Sequence, residues 1–362
     1  MTQNIDLRKL ATETGPDRCF VSVFLNAKSN WKWLERRFEE YRGLLEKSSD
    51  ERENFDRTTD MIRERLQRKA PQSGSLAVFA CWLSDFYESH HLSVELKEHV
   101  ILDSSPYVRP LAEFLDEYET FCIVLLDHKG AKIFLVTGAN IAQVDKARGD
   151  IKNHVRKGGW SQQRYERRRD KQIHNYCQEI AGRLEELAKE EPFEELIIAG
   201  DKVLVKELQG HLSTHMAQKL AAAEPVRAGL SDQELLEQLY PSFVQEERRE
   251  EEQLHEAIRE ECFHEGRAAT GPLPVLATLK EGRVNHLLVD RELKLKGFRC
   301  RECEFLGHGI PIDCPRCEGE VFEVDLVNEL VELAAQTGAK TEFADPIEGL
   351  TLWGGVAALL RY

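Results

Sequence analysis

VRKGGWSQQRYERRRDKQIHNYCQEIAGRLEEL, residues 155–187, sets two adjacent glycines between a basic pair and a long basic helix. Tyr165, Ile173, Tyr176, Ile180, Leu184 and Leu187 recur at helical spacing, which predicts a helix from Ser161 to about Lys189. Ser161 is of the type that caps a helix start, and Glu191-Pro192 supplies the stop. Arg164, Arg167, Arg168 and Lys171 fall on one face, opposite the apolar stripe. Arg156 and Lys157 precede Gly158 and Gly159, whose lack of a Cβ lets a backbone approach a partner closely. Cations around a helix start suit phosphate, and Trp160 at the tip is of the kind that stacks on an RNA base. A glycine turn before a solvated helix, with Trp160 folded into the core, is the plainer alternative, and the segment by itself does not choose.

Outward from this segment the chain alternates strands and helices. FCIVLLD and AKIFLVTG flank His128-Lys129-Gly130 and predict a hairpin with glycine at the turn; a short third strand follows at Ile141–Val144. After the helix, ELIIAG at 195–200 is a buried strand and KVLVKELQGHL a further helix, so the block is α/β with a partly parallel sheet. Upstream, CFVSVFL at 19–25, one long charged helix from Trp31 to Arg68, a break at APQSGS, and strands in SLAVFACW and HHLSVEL form another α/β block. Downstream, an acidic helix leads into GPLPVLATLKEGRVNHLLVD, read as helix then strand. Strand FEVD, helix LVNELVELAAQTG and strand KTEFA follow. The expected architecture is three α/β domains, at 1–110, 111–224 and 225–362, with a cysteine-rich insert at about 298–320 in the last.

CRECEFLGHGIPIDCPRC is that insert. Cys300, Cys303, Cys314 and Cys317 read C-x2-C-x10-C-x2-C, two turns whose thiolates converge on one ion. Four soft ligands leave no open coordination position, so the expected cofactor is one structural Zn²⁺. His308 lies between the pairs as a competing ligand, but the four cysteines suffice. Cys19, Cys81, Cys122, Cys177 and Cys262 are scattered and read as small buried hydrophobes rather than a disulfide framework.

The net charge of −15 would repel polyanions, but its distribution matters more. Seven basic residues against Glu166 and Asp170 crowd 155–172, while acid concentrates in Glu246–Glu261. Such a chain is expected to touch a polyanion in one place. No apolar run approaches the roughly twenty residues of a membrane span, and no apolar leader follows MTQNIDLRKL; a cytoplasmic location is expected. There is no P-loop, no GxGxxG after a strand, and Ser89-His90-His91 reads as polar edge-strand positions.

The central segment resembles the Gly-Gly-Gln loop and helix of the archaeo-eukaryotic release factor and Pelota superfamily. The matching residues are Gly158, Gly159, Ser161, Arg164, Tyr165 and His174-Asn175-Tyr176. FYESHHLSVELKEHVILDSSPYVRPL resembles the end of that family's first domain and FCIVLLDHKGAKIFLVTG the opening hairpin of its middle domain. LPVLATLKEGRVNHLLVD and GLTLWGGVAALLRY resemble its third domain, which in archaeal members also carries a cysteine-bound zinc. Bacterial relatives with Gly-Gly-Trp form a distinct branch, and the superfamily's bacterial members include Balon-like ribosome hibernation factors of similar size and layout. The resemblance implies a partner, the ribosome, met in its A site with the loop at ribosomal RNA near the peptidyl-transferase centre. It also implies a second partner for the third domain, elongation factor Tu or another translational GTPase.

In releasing members the glutamine of the loop helps position water against the peptidyl-tRNA ester. Trp160 stands there, and an indole has one donor and no acceptor. Gln162 and Gln163 are close by but fall in the predicted first helical turn. The first domain has no Asn-Ile-Lys-Ser stop-codon motif; AKSNWKW at 27–33 differs in order and context. The leading expectation is therefore a factor that occupies idle or stalled ribosomes without hydrolysis. The alternatives are a rescue peptidyl-tRNA hydrolase using Gln162 or Gln163, and a zinc-bearing adaptor using the acidic helix.

Overall fold

The computed structural model describes residues 5–362 apart from 17, 47–48, 68–70, 72, 93, 118–119, 138–139, 149–159, 192, 227–231 and 265. By contacts the chain divides into two units, one built from residues 1–117 with 250–362 and the other from 118–249.

The first unit begins with α1 (Leu7–Thr12), β1 (Phe20–Asn26), α2 (Trp31–Leu44), α3 (Asp50–Leu66), β2 (Ser75–Cys81), β3 (Phe86–Leu92), β4 (His99–Asp103) and α4 (Arg109–Glu117). Its strands make an antiparallel sheet in the order β3-β2-β1-β4. The single long helix expected over 31–68 is two helices. Ser49 caps the second, its Oγ accepting from the Arg52 N–H, so Ser-Ser-Asp competes successfully with helix continuation. The break lets Phe38 and Phe55 meet edge to face in one core with Val21, Val23 and Val78. The strand expected in HHLSVEL lies earlier, ending at Leu92, and β4, which the sequence pattern does not mark, pairs to β1. Asn30, inside AKSNWKW, caps α2 through the Trp33 N–H. His90 of β3, an edge strand as expected, is buried and contacts Glu88 at 3.0 Å.

The second unit holds β5 (Thr120–Asp127), β6 (Gly130–Thr137), β7 (Asn140–Arg148), α5 (Trp160–Glu190), β8 (Glu195–Gly200), α6 (Lys202–His211), α7 (Thr214–Gln218) and β9 (Leu220–Pro225). The sheet order is β7-β6-β5-β8-β9, antiparallel over the first three strands and parallel from β5 onward. The hairpin forms as expected, but its turn rests on Asp127, whose Oδ1 accepts from the N–H groups of Lys129 and Gly130 at 2.5 and 2.8 Å. At the end of β8 Gly200 has φ +132°, and a Cβ there would lie 2.0 Å from the Leu126 carbonyl oxygen, so only glycine lets these parallel strands close. α7 and β9 extend the block beyond what the sequence pattern predicts.

α8 (Asp232–Phe263) contributes residues to both units. Then come β10 (Ala268–Thr270), α9 (Pro272–Lys280), β11 (Val284–Asp290), β12 (Lys296–Cys300), β13 (Leu306–His308), β14 (Val321–Asp325), α10 (Leu326–Thr337), β15 (Lys340–Ala344), α11 (Glu348–Leu352) and β16 (Val356–Leu360). β10-β16-β11-β15 make a mixed sheet and β13-β12-β14 a separate antiparallel one. The fold is thus multi-domain α/β with a cysteine-bearing satellite sheet.

Within the first unit, residues from both ends of the chain share a buried polar seam. Arg109 donates to the Leu293 and Arg291 carbonyls, Tyr107 Oη to Asp325 at 2.7 Å, and Ser105 Oγ to Glu332 at 2.8 Å. Asp103, Glu329 and Glu332 are buried there beside the half-buried Arg299. Burial, then the nearby Glu329 charge, pushes the Asp103 carboxyl up to about 7. Burial also raises Glu329 and Glu332. Between the ordinary aspartate value of about 3.9 and about 7 the folded chain holds a proton that the unfolded chain releases, so stability falls as pH rises across that window. Asp103→Asn is expected to raise stability at about pH 8 by roughly 2 kcal/mol and to flatten the fall between about pH 5 and 8. Urea unfolding at both pH values checks this; an equal loss at both would mean the carboxylate is needed in charged form.

Candidate nucleic-acid interface and metal centre

The basic segment is held from behind. Ile173, Tyr176, Cys177, Ile180, Ala181 and Leu184 of α5 are buried against Val124, Ile133, Leu135 and Leu196 of the sheet. Arg183 pairs with Asp145 of β7 at 2.9 Å. Burial pushes the Cys177 thiol up to about 12, which makes it packing material and not a nucleophile. Anchoring the apolar stripe leaves Arg167, Arg168 and Lys171 exposed on the other side of the helix. Arg156, Lys157, Gly158 and Gly159 lie outside the described residues. Trp160, Gln162, Gln163 and Arg164 are in the first turns of α5, and Ser161 is inside the helix rather than ahead of it. Among the described residues, then, one helix face gathers three of the predicted cations, and the sheet fixes that face outward.

The four cysteines converge. Cys300 ends β12, Cys303 sits in the turn before β13, and Cys314 and Cys317 lie in the loop before β14. Their sulfurs stand 3.4 Å (300 to 317), 3.7 Å (303 to 314) and 3.4 Å (303 to 317) apart. Thiolates on a tetrahedral ion with bonds of about 2.3 Å would be about 3.8 Å apart, so the group fits with little adjustment. The two turns repeat each other. The Glu302 and Arg316 N–H groups each point at the sulfur two residues back, at 3.4 Å. Glu304 and Glu318, one residue past each second cysteine, are both left-handed at φ 56° and 62°. The two turns thus share one backbone form, with a non-glycine residue in the left-handed region at the same place in each. The cluster can hold a metal ion. His308 is exposed on β13 and is not among the clustered ligands. Of the scattered cysteines four are buried as expected, but Cys262 is exposed near the end of α8.

Sequence reasoning passed over one further cluster. His174 of α5 and Glu207 and His211 of α6 bring one ligand atom each within 4.8 Å of the others. Its sequence signal is an acid four residues before a histidine, occurring twice, at Asp170–His174 and Glu207–His211.

Residues 106–243, somewhat under half of the chain, match the family described as bacterial archaeo-eukaryotic release factor family 10. Peptide chain release factor subunit 1 of Methanocaldococcus jannaschii is 26% identical over 98% of this chain and 96% of its own length. The Archaeoglobus fulgidus protein of that name is 29% identical over 87% and 85%. By these matches the chain is similar to the archaeo-eukaryotic release factors. Among solved structures, Saccharomyces cerevisiae Dom34 is similar at 14% identity and TM-score 0.45, covering 80% of this chain and 79% of its own. Archaeoglobus fulgidus Pelota is similar at 15% identity and TM-score 0.34, covering 100% and 93%. Among the described residues no helix is long and apolar enough to cross a membrane.

Proposed function

We propose that the chain is a ribosome-binding factor that occupies the A site of idle or stalled ribosomes without hydrolysing peptidyl-tRNA. In this reading Gly158, Gly159 and Trp160 meet ribosomal RNA near the peptidyl-transferase centre. The observation that carries it is the exposed Arg167, Arg168 and Lys171 face, directly behind a Gly-Gly pair in a chain of net charge −15. A cationic face on an otherwise acidic protein finds RNA phosphate by charge and leaves the rest of the surface unattracted.

Each part of the segment has a role in that reading. The sheet fixes α5, α5 aims the cations, and the cations hold the backbone of the loop against phosphate. The glycines admit close approach, and Trp160 stacks rather than positions water. Hydrolysis needs an acceptor to orient the attacking water, and the indole N–H offers none. Gln162 and Gln163 are tied to the helical turn, and a displacement of about an ångström costs roughly a hundredfold in positional catalysis. Cys300, Cys303, Cys314 and Cys317 would hold one structural Zn²⁺, which when bound fixes the satellite sheet. A translational GTPase such as elongation factor Tu is the proposed partner of the C-terminal block, on the strength of the family resemblance.

The relatives named peptide chain release factor subunit 1 favour a second reading, peptidyl-tRNA hydrolysis, for which Gln162 or Gln163 would orient water and ribosome rescue would be the setting. One experiment separates the two. Ribosomes carrying peptidyl-tRNA are incubated with the protein, and peptide release and co-sedimentation are measured together. The expected result is co-sedimentation with no release above background. Release that disappears in Gln162→Ala or Gln163→Ala would establish the hydrolase, and failure to sediment even at low salt would remove both.

A further inference from the structure

His174 of α5 and the Glu207–His211 pair of α6 lie more than thirty residues apart in the chain, yet their ligand atoms all fall within 4.8 Å of one another. His174 Nδ1 stands 3.4 Å from Glu207 Oε1, and His211 Nε2 stands 3.3 Å from the same oxygen. The two imidazoles meet edge to face with ring centroids 4.4 Å apart. A charged hydrogen bond between imidazolium and carboxylate would close to about 2.8 Å. Nitrogen and oxygen ligands on a tetrahedral ion, with bonds of about 2.0–2.1 Å, stand about 3.3 Å apart. The two spacings to Glu207 are longer than that closed ion pair and suit ligands around an ion, and the ligand atoms of all three residues lie within 4.8 Å of one another.

The surroundings agree. Asp170, one helical turn before His174, lines the same surface pocket as His174 and Glu207, so an oxygen ligand or water has room to complete the coordination sphere. Lys171 and Asn175 also line it, and neither is a ligand atom of the cluster. His174 is exposed and the other two half-buried, so an ion can enter from solvent.

We propose that His174, Glu207 and His211 form a second metal site, separate from the cysteine ribbon, that takes a borderline divalent cation, zinc foremost. Two imidazoles with one carboxylate suit zinc, copper or nickel, whereas magnesium and calcium ask for oxygen ligands. The ion ties α5 to α6 one turn beyond the exposed cations, and so stiffens the helix that carries them. The proposal is independent of what those cations bind.

The test uses untagged, full-length protein with the ribbon already loaded with zinc. Further zinc is added, loose metal is removed by gel filtration, and metal per chain is measured. The expected result is one additional zinc, lost in His211→Ala and in His174→Ala while the ribbon zinc stays. Competition with a chelating dye is expected to show affinity falling at least 10–100-fold in each variant, the loss that even outer-shell changes cause. Cobalt in this site should absorb in the visible without the near-ultraviolet thiolate band that the ribbon gives. His174 is exposed, so its removal leaves the fold intact, and circular dichroism checks that. Wild type and both variants binding the same metal with the same affinity would overturn the proposal, as would cobalt giving only thiolate spectra.

Discussion

Arg164→Glu combined with Arg168→Glu is expected to weaken ribosome binding roughly a hundredfold, two charge-assisted contacts at about 1.5 kcal/mol each. It should also make the slope of log affinity against log salt shallower by about two, one unit for each phosphate no longer neutralised. Residues 155–172 hold seven basic residues against two acidic ones, and the double reversal leaves five against four. Little net attraction then survives in a chain this acidic. Arg168 is exposed and α5 is anchored through its opposite face, so the effect should not come from unfolding. Arg248→Glu with Arg249→Glu, an equal change of charge at exposed positions of α8, is the control and should leave the salt slope unaltered. Co-sedimentation at several salt concentrations reads both quantities. If the two double variants behave alike, bulk charge is what matters and α5 has no special part.

Much of this was readable before the structure, for physical reasons that differ by element. β5 and β6 are long apolar runs two residues apart, so only a hairpin satisfies their backbone groups. α5 declares itself through a sustained 3.6-residue period, and burial of Ile173, Tyr176, Ile180 and Leu184 follows from it. The break between α2 and α3 was hidden because charged residues continue on both sides, and only the cap at Ser49 marks the end. β4 is short, and its pairing to β1 comes from residues some eighty positions away. The same reasoning applies to the sites. Two C-x2-C turns are local and therefore legible, as is a cationic helix face. The His174, Glu207 and His211 cluster needs α5 packed on α6, and no local period signals that contact.

Removing the metal from the ribbon is expected to cost more than the ribbon itself. Among its described residues the β13-β12-β14 sheet buries few apolar side chains, chiefly Phe298, Leu306 and Val324. A patch that small cannot offset the ordering of the chain around it, and the apparent binding energy of a structural zinc, about 10–16 kcal/mol, can. Arg299 of β12 pairs with the carboxylate of Glu329, which is 2% exposed in α10. Loosening β12 therefore leaves a buried acid without its cation, a change that typically costs about 3–5 kcal/mol. Asp103 and Glu332 lie in the same seam, so the disturbance reaches the sheet formed by the N-terminal residues. Cys314→Ser with Cys317→Ser, or prolonged chelation, should abolish the ribbon metal, lower the melting midpoint of the whole first unit, and open residues 296–325 to hydrogen exchange. Exchange confined to the ribbon with an unchanged midpoint would show that Arg299 and Glu329 do not couple it to the unit. Unchanged exchange and midpoint would show that the four sulfurs hold their positions without an ion.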